Sequence, residues 1–147
     1  MTALTPPTSA LILALAAAVS FGPAMAQDAG ASLVLELNNA TDVEGACRLT
    51  YVATNGTGVD LAGLSYEIVL YDPEGIVPDD GFLLFEFGSI PEGKTKVVQF
   101  VLENRDCASI SRVLVNDVAE CRSETGEHDF CLDGLSVTSR NEIGFSL

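Results

Sequence analysis

The stretch "CRLTYVATNGTGVDLAGLSYEIVLYDPEG", residues 47–75, decides the fold of this chain. Residues 47–54 and 64–71 each place apolar side chains at every second position, the pattern of half-buried β-strands. Between them lies "NGTG", and "DPEG" follows. Glycine supplies positive φ and proline presets a turn, so both are turn signals. The stretch predicts two strands joined through a glycine-rich turn, with the first strand tied down at Cys47.

The same two-residue period recurs along the rest of the chain, and no amphipathic helix interrupts it. Further strand-like runs lie at 32–38, 82–87, 94–102, 109–118, 135–139 and, shorter, 143–147. The run 82–87, "FLLFEF", is apolar on both faces, which predicts a strand that is central or partly covered. Short strands at this spacing predict an all-β protein, a single antiparallel β-sandwich of about seven strands.

The first 26 residues have the features of a signal peptide. A short apolar core at 10–19 precedes small residues in an A-x-A arrangement at Ala24 and Ala26. This pattern predicts cleavage after Ala26, although the first ten residues lack the usual Lys or Arg. The mature domain would then be 27–147, exported to the periplasm or secreted, with no membrane span after cleavage.

Four cysteines in an exported chain predict two disulfides. If successive strands alternate in direction, Cys47 and Cys107 lie at one end of the sandwich, and Cys121 and Cys131 lie at the other. We therefore predict the pairs Cys47–Cys107 and Cys121–Cys131 among three possible pairings. No C-x-x-C spacing indicates a metal site.

The charge balance narrows the classes of partner. The chain has 21 acidic and 7 basic residues, a net charge of −14, and all of them lie after residue 26. Such a surface repels nucleic acid and anionic lipid headgroups. It suits a basic partner or cation-rich surroundings.

Two segments resemble a known family. "VATNGTGVDLAGLSYEIVLYDPEGIV" and "FEFGSIPEGKTKVVQFVL" are similar to small immunoglobulin-like domains of the FxLYD type, in which an N-G break precedes a strand ending in LYD-x-x-G and a P-x-G turn leads the next strand. The matching residues are Asn55, Gly56, Leu70, Tyr71, Asp72, Gly75, Pro91 and Gly93. The resemblance implies an immunoglobulin-like β-sandwich and no enzyme. The four cysteines are not part of that pattern.

Two acidic loops are candidate sites. The first holds Asp72, Glu74, Asp79 and Asp80, whose carboxylates could bind Ca²⁺ or could simply form solvated turns. The second is the segment 121–131, "CRSETGEHDFC", which holds Glu124, Glu127, His128 and Asp129 between two cysteines. It could be a disulfide-clipped recognition loop, a Zn²⁺ or Cu²⁺ site, or a loop without a dedicated role.

Catalysis has little support in the sequence. His128 is the only histidine, and no G-x-S-x-G motif or free Cys–His pair accompanies it. In the run 111–117, Arg112 and Asn116 could line a groove or face outward. We expect no cofactor and no enzyme activity. We expect a binding module whose partner is another envelope protein, an envelope polymer or a second copy of the chain. A small metal- or ligand-binding protein that uses the acidic loops is the alternative.

Overall fold

The computed structural model describes residues 32–147. The predicted signal peptide and the first residues of the predicted domain lie outside this range. The described chain is almost entirely β-structure, with one four-residue helix, α1 (Phe130–Asp133), and a 3-10 turn at Cys107–Ser109. No helix in this range is long and apolar enough to cross a membrane.

The strands form two sheets. The first sheet has the order β5-β2-β1-β8, with the following bounds: β1 Ser32–Val43, β2 Ala46–Gly56, β5 Thr95–Glu103 and β8 Leu135–Ser139. The second sheet has the order β4-β3-β6-β7, and β9 also pairs with β6; its strands are β3 Gly63–Tyr71, β4 Phe82–Glu86, β6 Arg112–Ser123, β7 Gly126–Glu127 and β9 Gly144–Ser146.

An aromatic cluster joins the two sheets. Tyr51 on β2 is fully buried, and four phenylalanine rings meet it nearly edge-on at centroid distances of 5.3–5.8 Å. Phe85 lies on β4, Phe87 directly follows that strand, Phe100 lies on β5 and Phe145 on β9. Edge-on contacts of this kind add to the stabilisation that burial provides. The inward faces of both sheets therefore close over one core.

The prediction of an all-β fold with two disulfides is confirmed. Cys47 bonds to Cys107 and Cys121 bonds to Cys131, the pairing that the strand directions predicted. The number of strands and the purely antiparallel pairing need correction. Nine strands, not about seven, lie within residues 32–147, and two pairs are parallel, β1 with β8 and β6 with β9. The short run predicted at 143–147 contains β9, whereas β7 spans only two residues, too few for alternation to identify it.

Residues 82–87 were predicted to form a strand that is central or partly covered, and the second alternative is confirmed. The strand is not central, because β4 is an edge strand of the second sheet. Phe82 and Leu84 are 68% and 54% exposed on its outer side, while Phe85 is buried on the inner side. The sequence pattern is that of a strand covered on both faces. In the folded chain, only the inner face of β4 is covered.

Candidate interaction surface

In the first acidic loop, one aspartate stabilises a turn and another forms an ion pair. Asp72 Oδ1 accepts a hydrogen bond from the Ile76 N–H at 2.7 Å, which closes the turn after β3. Asp80 pairs with Arg105, Oδ1 to guanidinium nitrogen, at 2.5 Å. The hydrogen bond from Arg105 is the main reason why the pKa of Asp80 lies below its usual value. Glu74 and Asp79 are exposed.

The structure does not gather the predicted ligands into a metal site. Among residues 32–147, no three histidine, cysteine or carboxylate side chains come together in a group that could hold a metal ion. Asp72 and Asp80 act in a turn and an ion pair instead.

The segment 121–131 is an ordered hairpin. The end of β6 turns back as β7, and the His128 N–H donates to the Cys121 carbonyl at 2.8 Å. The His128 ring packs on Phe130 with a centroid distance of 4.8 Å. Glu124, Glu127 and Asp129 are exposed around the hairpin. The loop thus presents three carboxylates on a scaffold held by its own backbone and by the disulfide.

The hairpin also brings the only histidine next to a serine, which sequence reasoning did not anticipate. His128 Nε2 and Ser123 Oγ lie 2.8 Å apart. The same oxygen accepts from the Thr125 N–H at 3.2 Å and lies 2.9 Å from the Thr125 hydroxyl. A Ser–His nucleophile needs an accessible hydroxyl and a third group that orients the imidazole. Ser123 is buried, so we interpret this contact as a hydrogen bond that stabilises the turn.

A buried tyrosine anchors the clipped loop to the core. The Tyr66 hydroxyl donates to the Cys131 carbonyl at 2.7 Å. Tyr66 lies on β3 and is fully buried, and burial raises the pKa of its hydroxyl, so that the donor stays protonated. Through this bond and the disulfide, the second sheet fixes the segment that carries the exposed carboxylates.

The outer face of the second sheet carries an apolar row that ends at the β4 edge. Phe82 pairs in register with Val69 on β3, and Val69 pairs with Leu114 on β6. Val69 is buried although it faces outward, because these neighbours flank it on both sides. Beside this row, the Arg112 guanidinium lies 3.9 Å from the centre of the Tyr71 ring. Arg112 therefore belongs to the outer face, one of the two positions that the sequence left open.

Next to the apolar row the same face is acidic. Leu84 pairs with Glu67, which pairs with Asp117. Glu86 and Glu120 flank Ser65 in the following row. Glu120 forms an ion pair with Arg122. A groove of about 450 Å³ lies between the two rows, lined by Glu67, Ile68, Phe82, Leu83 and Leu84.

Strand β5 is an edge strand of the first sheet. Val97 and Val101 are exposed there. Lys96 on this strand donates to the carbonyls of Phe87 and Ser89 at 2.7 and 3.2 Å, which bridges the two sheets. An inward-pointing lysine is one of the devices that discourage strand pairing at an edge. Strand β4 has no lysine, arginine or proline.

Comparison with known proteins identifies a solved structure of similar fold but no protein family. No protein-family model matches this chain, and no curated protein matches it either. The solved structure of IrmA from Escherichia coli is similar, with a TM-score of 0.56 at 10% identity over 73% of this chain and 91% of that one. A DUF1425 family member from Shewanella sp. pv-4 aligns over 58% of this chain and 71% of its own, at 17% identity and a TM-score of 0.38. That score is too low to indicate a common fold. The similarity to IrmA indicates the fold alone.

Proposed function

We propose that this chain is an exported, non-enzymatic binding protein of the bacterial cell envelope. It recognises another protein through an exposed sheet edge, with the clipped loop 121–131 as a second contact. The observation that carries the proposal is the β4 edge, where Phe82 and Leu84 are largely exposed on a strand that pairs with β3 on one side only. Exposed apolar edges are sites of pairing with another chain, and proteins without such a partner usually protect them.

The chemistry of the cysteines and the amino-terminal sequence pattern support the proposed compartment. All four cysteines are in disulfides, which form and persist in oxidising compartments. The signal-peptide pattern in residues 1–26 supports export to the periplasm or beyond.

The proposal includes a more specific fold. We infer an immunoglobulin-like sandwich of the FxLYD type, with β7 and β9 as short additions to a common set of strands. The turn residues of that resemblance support this. Gly75 and Gly93 both have positive φ, and the Asn55 side chain ties β2 to the carbonyls of Val59 and Ile90.

The test is reversible crosslinking in the native host, followed by purification of the full-length protein through a tag placed after Leu147. We expect one reproducible partner protein at the wild-type level of expression. The triple variant Glu124→Gln, Glu127→Gln, Asp129→Asn keeps both disulfides and reports the contribution of the loop. Recovery of the protein alone, as a soluble monomer, would contradict a binding function.

A further inference from the structure

We propose that the β4 edge binds an extended segment of a partner protein, and that this segment carries two apolar residues followed or preceded by one basic residue on the side facing Phe82, Leu84 and Glu86. This inference rests on the proposed function and assigns its site and the chemistry of its partner. The segment would add to the second sheet as a further strand, with backbone hydrogen bonds to β4.

The hydrogen-bond register shows which backbone groups of β4 are available. The Leu70 N–H donates to the Gly81 carbonyl at 2.8 Å, and the Phe87 N–H donates to the Leu64 carbonyl at 2.9 Å. In an antiparallel pair, residues alternate between bonding the neighbour and pointing away from it. The backbone N–H and C=O groups of residues 81, 83, 85 and 87 therefore point toward β3. The N–H and C=O groups of Phe82, Leu84 and Glu86 point away from β3 to the free side.

The same three residues present their side chains on the outer face, because side chains repeat every two residues along a strand. An apolar residue directly opposite Phe82 on an added strand would extend the apolar row that continues through Val69 and Leu114. A second one opposite Leu84 would cover that side chain at the start of the neighbouring row. Together they would bury the two apolar side chains of β4 that the fold leaves exposed. This arrangement also explains why residues 82–87 have the sequence of a covered strand.

The charge of the outer face specifies the residue of the partner segment that lies opposite Glu86. Glu86 and Glu67 are exposed on this face, and Asp117 follows Glu67 across β3 and β6. Arg122 on this face is paired with Glu120, Arg112 lies over the Tyr71 ring, and Lys96 is bound to the carbonyls of Phe87 and Ser89. A lysine or arginine opposite Glu86 would be attracted by this group, and an acidic segment would be repelled.

A second copy of the chain fits less well. Two copies joined through β4 would merge two acidic outer faces into one sheet, on proteins that each carry a net charge of −14. Like charges side by side on one face destabilise such pairing. We therefore favour a basic, extended partner segment over self-association.

The experiment uses two capped peptides as probes, Ac-TVTVTKT-NH₂ and its reverse, Ac-TKTVTVT-NH₂, which cover both strand directions. Each is titrated into the ¹⁵N-labelled mature protein and followed by NMR. We expect saturable shifts at residues 81–87 and on β3 for at least one peptide. Replacement of its lysine by glutamate should weaken binding at least about tenfold.

Backbone methylation makes the test specific for strand pairing. In an antiparallel pair, which Ac-TKTVTVT-NH₂ would form, the valines and lysine lie opposite Phe82, Leu84 and Glu86 with their N–H groups facing β4. Methylation of those amides should abolish binding, and methylation of the threonine amides should leave it nearly unchanged. For the parallel probe Ac-TVTVTKT-NH₂ the two outcomes are exchanged, because the threonine N–H groups then face β4.

Matched protein variants complete the test. Leu84→Lys should weaken binding at least about tenfold by repulsion and lost burial, while Val97→Lys on the β5 edge should leave it unchanged. Leu84→Pro removes only an N–H that lacks a partner within β4 and β3, and it should also block binding. The inference is overturned if neither peptide binds, if both methylation patterns act alike, or if sedimentation shows a dimer that Leu84→Lys dissociates.

These outcomes separate the inference from the proposed function. If the envelope partner is captured equally by wild type and by Leu84→Lys, the binding function stands and the β4 site is wrong. If the peptides bind β4 but no partner is captured in the host, the edge accepts strands but the envelope function is wrong.

Discussion

The rings of Phe85 and Phe100 stack in parallel, with centroids 4.0 Å apart, and so join the edge strands of the two sheets. The junction is closed near its ends by two cations. Lys96 binds the carbonyls of Phe87 and Ser89, and Arg105 pairs with Asp80. The inner side of β4 is thus fixed firmly, while its outer side and its free backbone remain open. A rigid strand loses little entropy on accepting a partner, which favours binding.

Two phenylalanines on the two faces of β4 should differ strongly in their effect on stability. Phe85→Ala removes a buried ring from the core and should lower the free energy of unfolding by about 3–5 kcal/mol. Phe82→Ala, three residues earlier on the exposed face, should change it by no more than about 0.5 kcal/mol. Urea unfolding followed by circular dichroism measures both. Similar losses in the two variants would contradict the assigned faces.

Two buried tyrosines provide a second matched pair. Tyr66→Phe leaves the Cys131 carbonyl without its donor and should cost about 1–3 kcal/mol of unfolding free energy. The Tyr51 hydroxyl is buried without a hydrogen-bond partner among the described residues, so Tyr51→Phe should be neutral or stabilising. Chemical denaturation of both variants measures the difference. The opposite ranking would show that the clipped loop is not anchored through Tyr66.

Stability should fall in alkali because of the same two side chains. Burial raises the pKa of Tyr51 and of Tyr66 above the ordinary value. The unfolded chain therefore loses these protons first, and the stability that is complete below about pH 10 declines above it by about 1.4 kcal/mol per pH unit for each tyrosine. Urea titrations between about pH 9 and pH 11 measure the slope. The double variant Tyr51→Phe, Tyr66→Phe should lose this part of the slope, and an unchanged slope would contradict the burial of both hydroxyls.

The two disulfides should contribute unequally. Cys47–Cys107 spans 60 residues and Cys121–Cys131 spans 10. In the chain-entropy model, their removal costs about 4 and about 3 kcal/mol respectively. Paired Cys→Ala variants, compared by urea unfolding, measure this order. We also expect the Cys121/Cys131 variant to lose more protection from hydrogen exchange at residues 121–131 than its fall in global stability accounts for, whereas a uniform loss along the chain would contradict a local clip.

Much of this architecture can be predicted from the sequence, because the alternation of apolar and polar residues and the choice of turn residues depend only on neighbours along the chain. The strand directions alone placed Cys47 beside Cys107. The D-P-E-G turn forms as predicted, with Gly75 at φ +80°. What could not be predicted depends on contacts distant in sequence. The polar end of β1 continues as a strand to Val43 only because β2 pairs with it across a bulge.

The candidate site was predicted only in part, for the same reason. Loops rich in carboxylates suggested metal ligands, but only three-dimensional placement shows that Asp80 pairs with Arg105. Phe82 and Leu84 belong to a run whose apolar residues on both faces predict a strand that is central or partly covered. A run that is apolar on both faces indicates a strand that is covered on both faces, but it does not say whether the cover belongs to the same chain.

The most direct test of a partner at the β4 edge is photo-crosslinking in the native host. A photo-reactive phenylalanine analogue replaces Leu84 in one strain and Val97, on the opposite open edge, in another. We predict one defined protein adduct from position 84 and none from position 97. Adducts of equal yield from both positions, or none from position 84 while the protein is present at normal levels, would contradict the account.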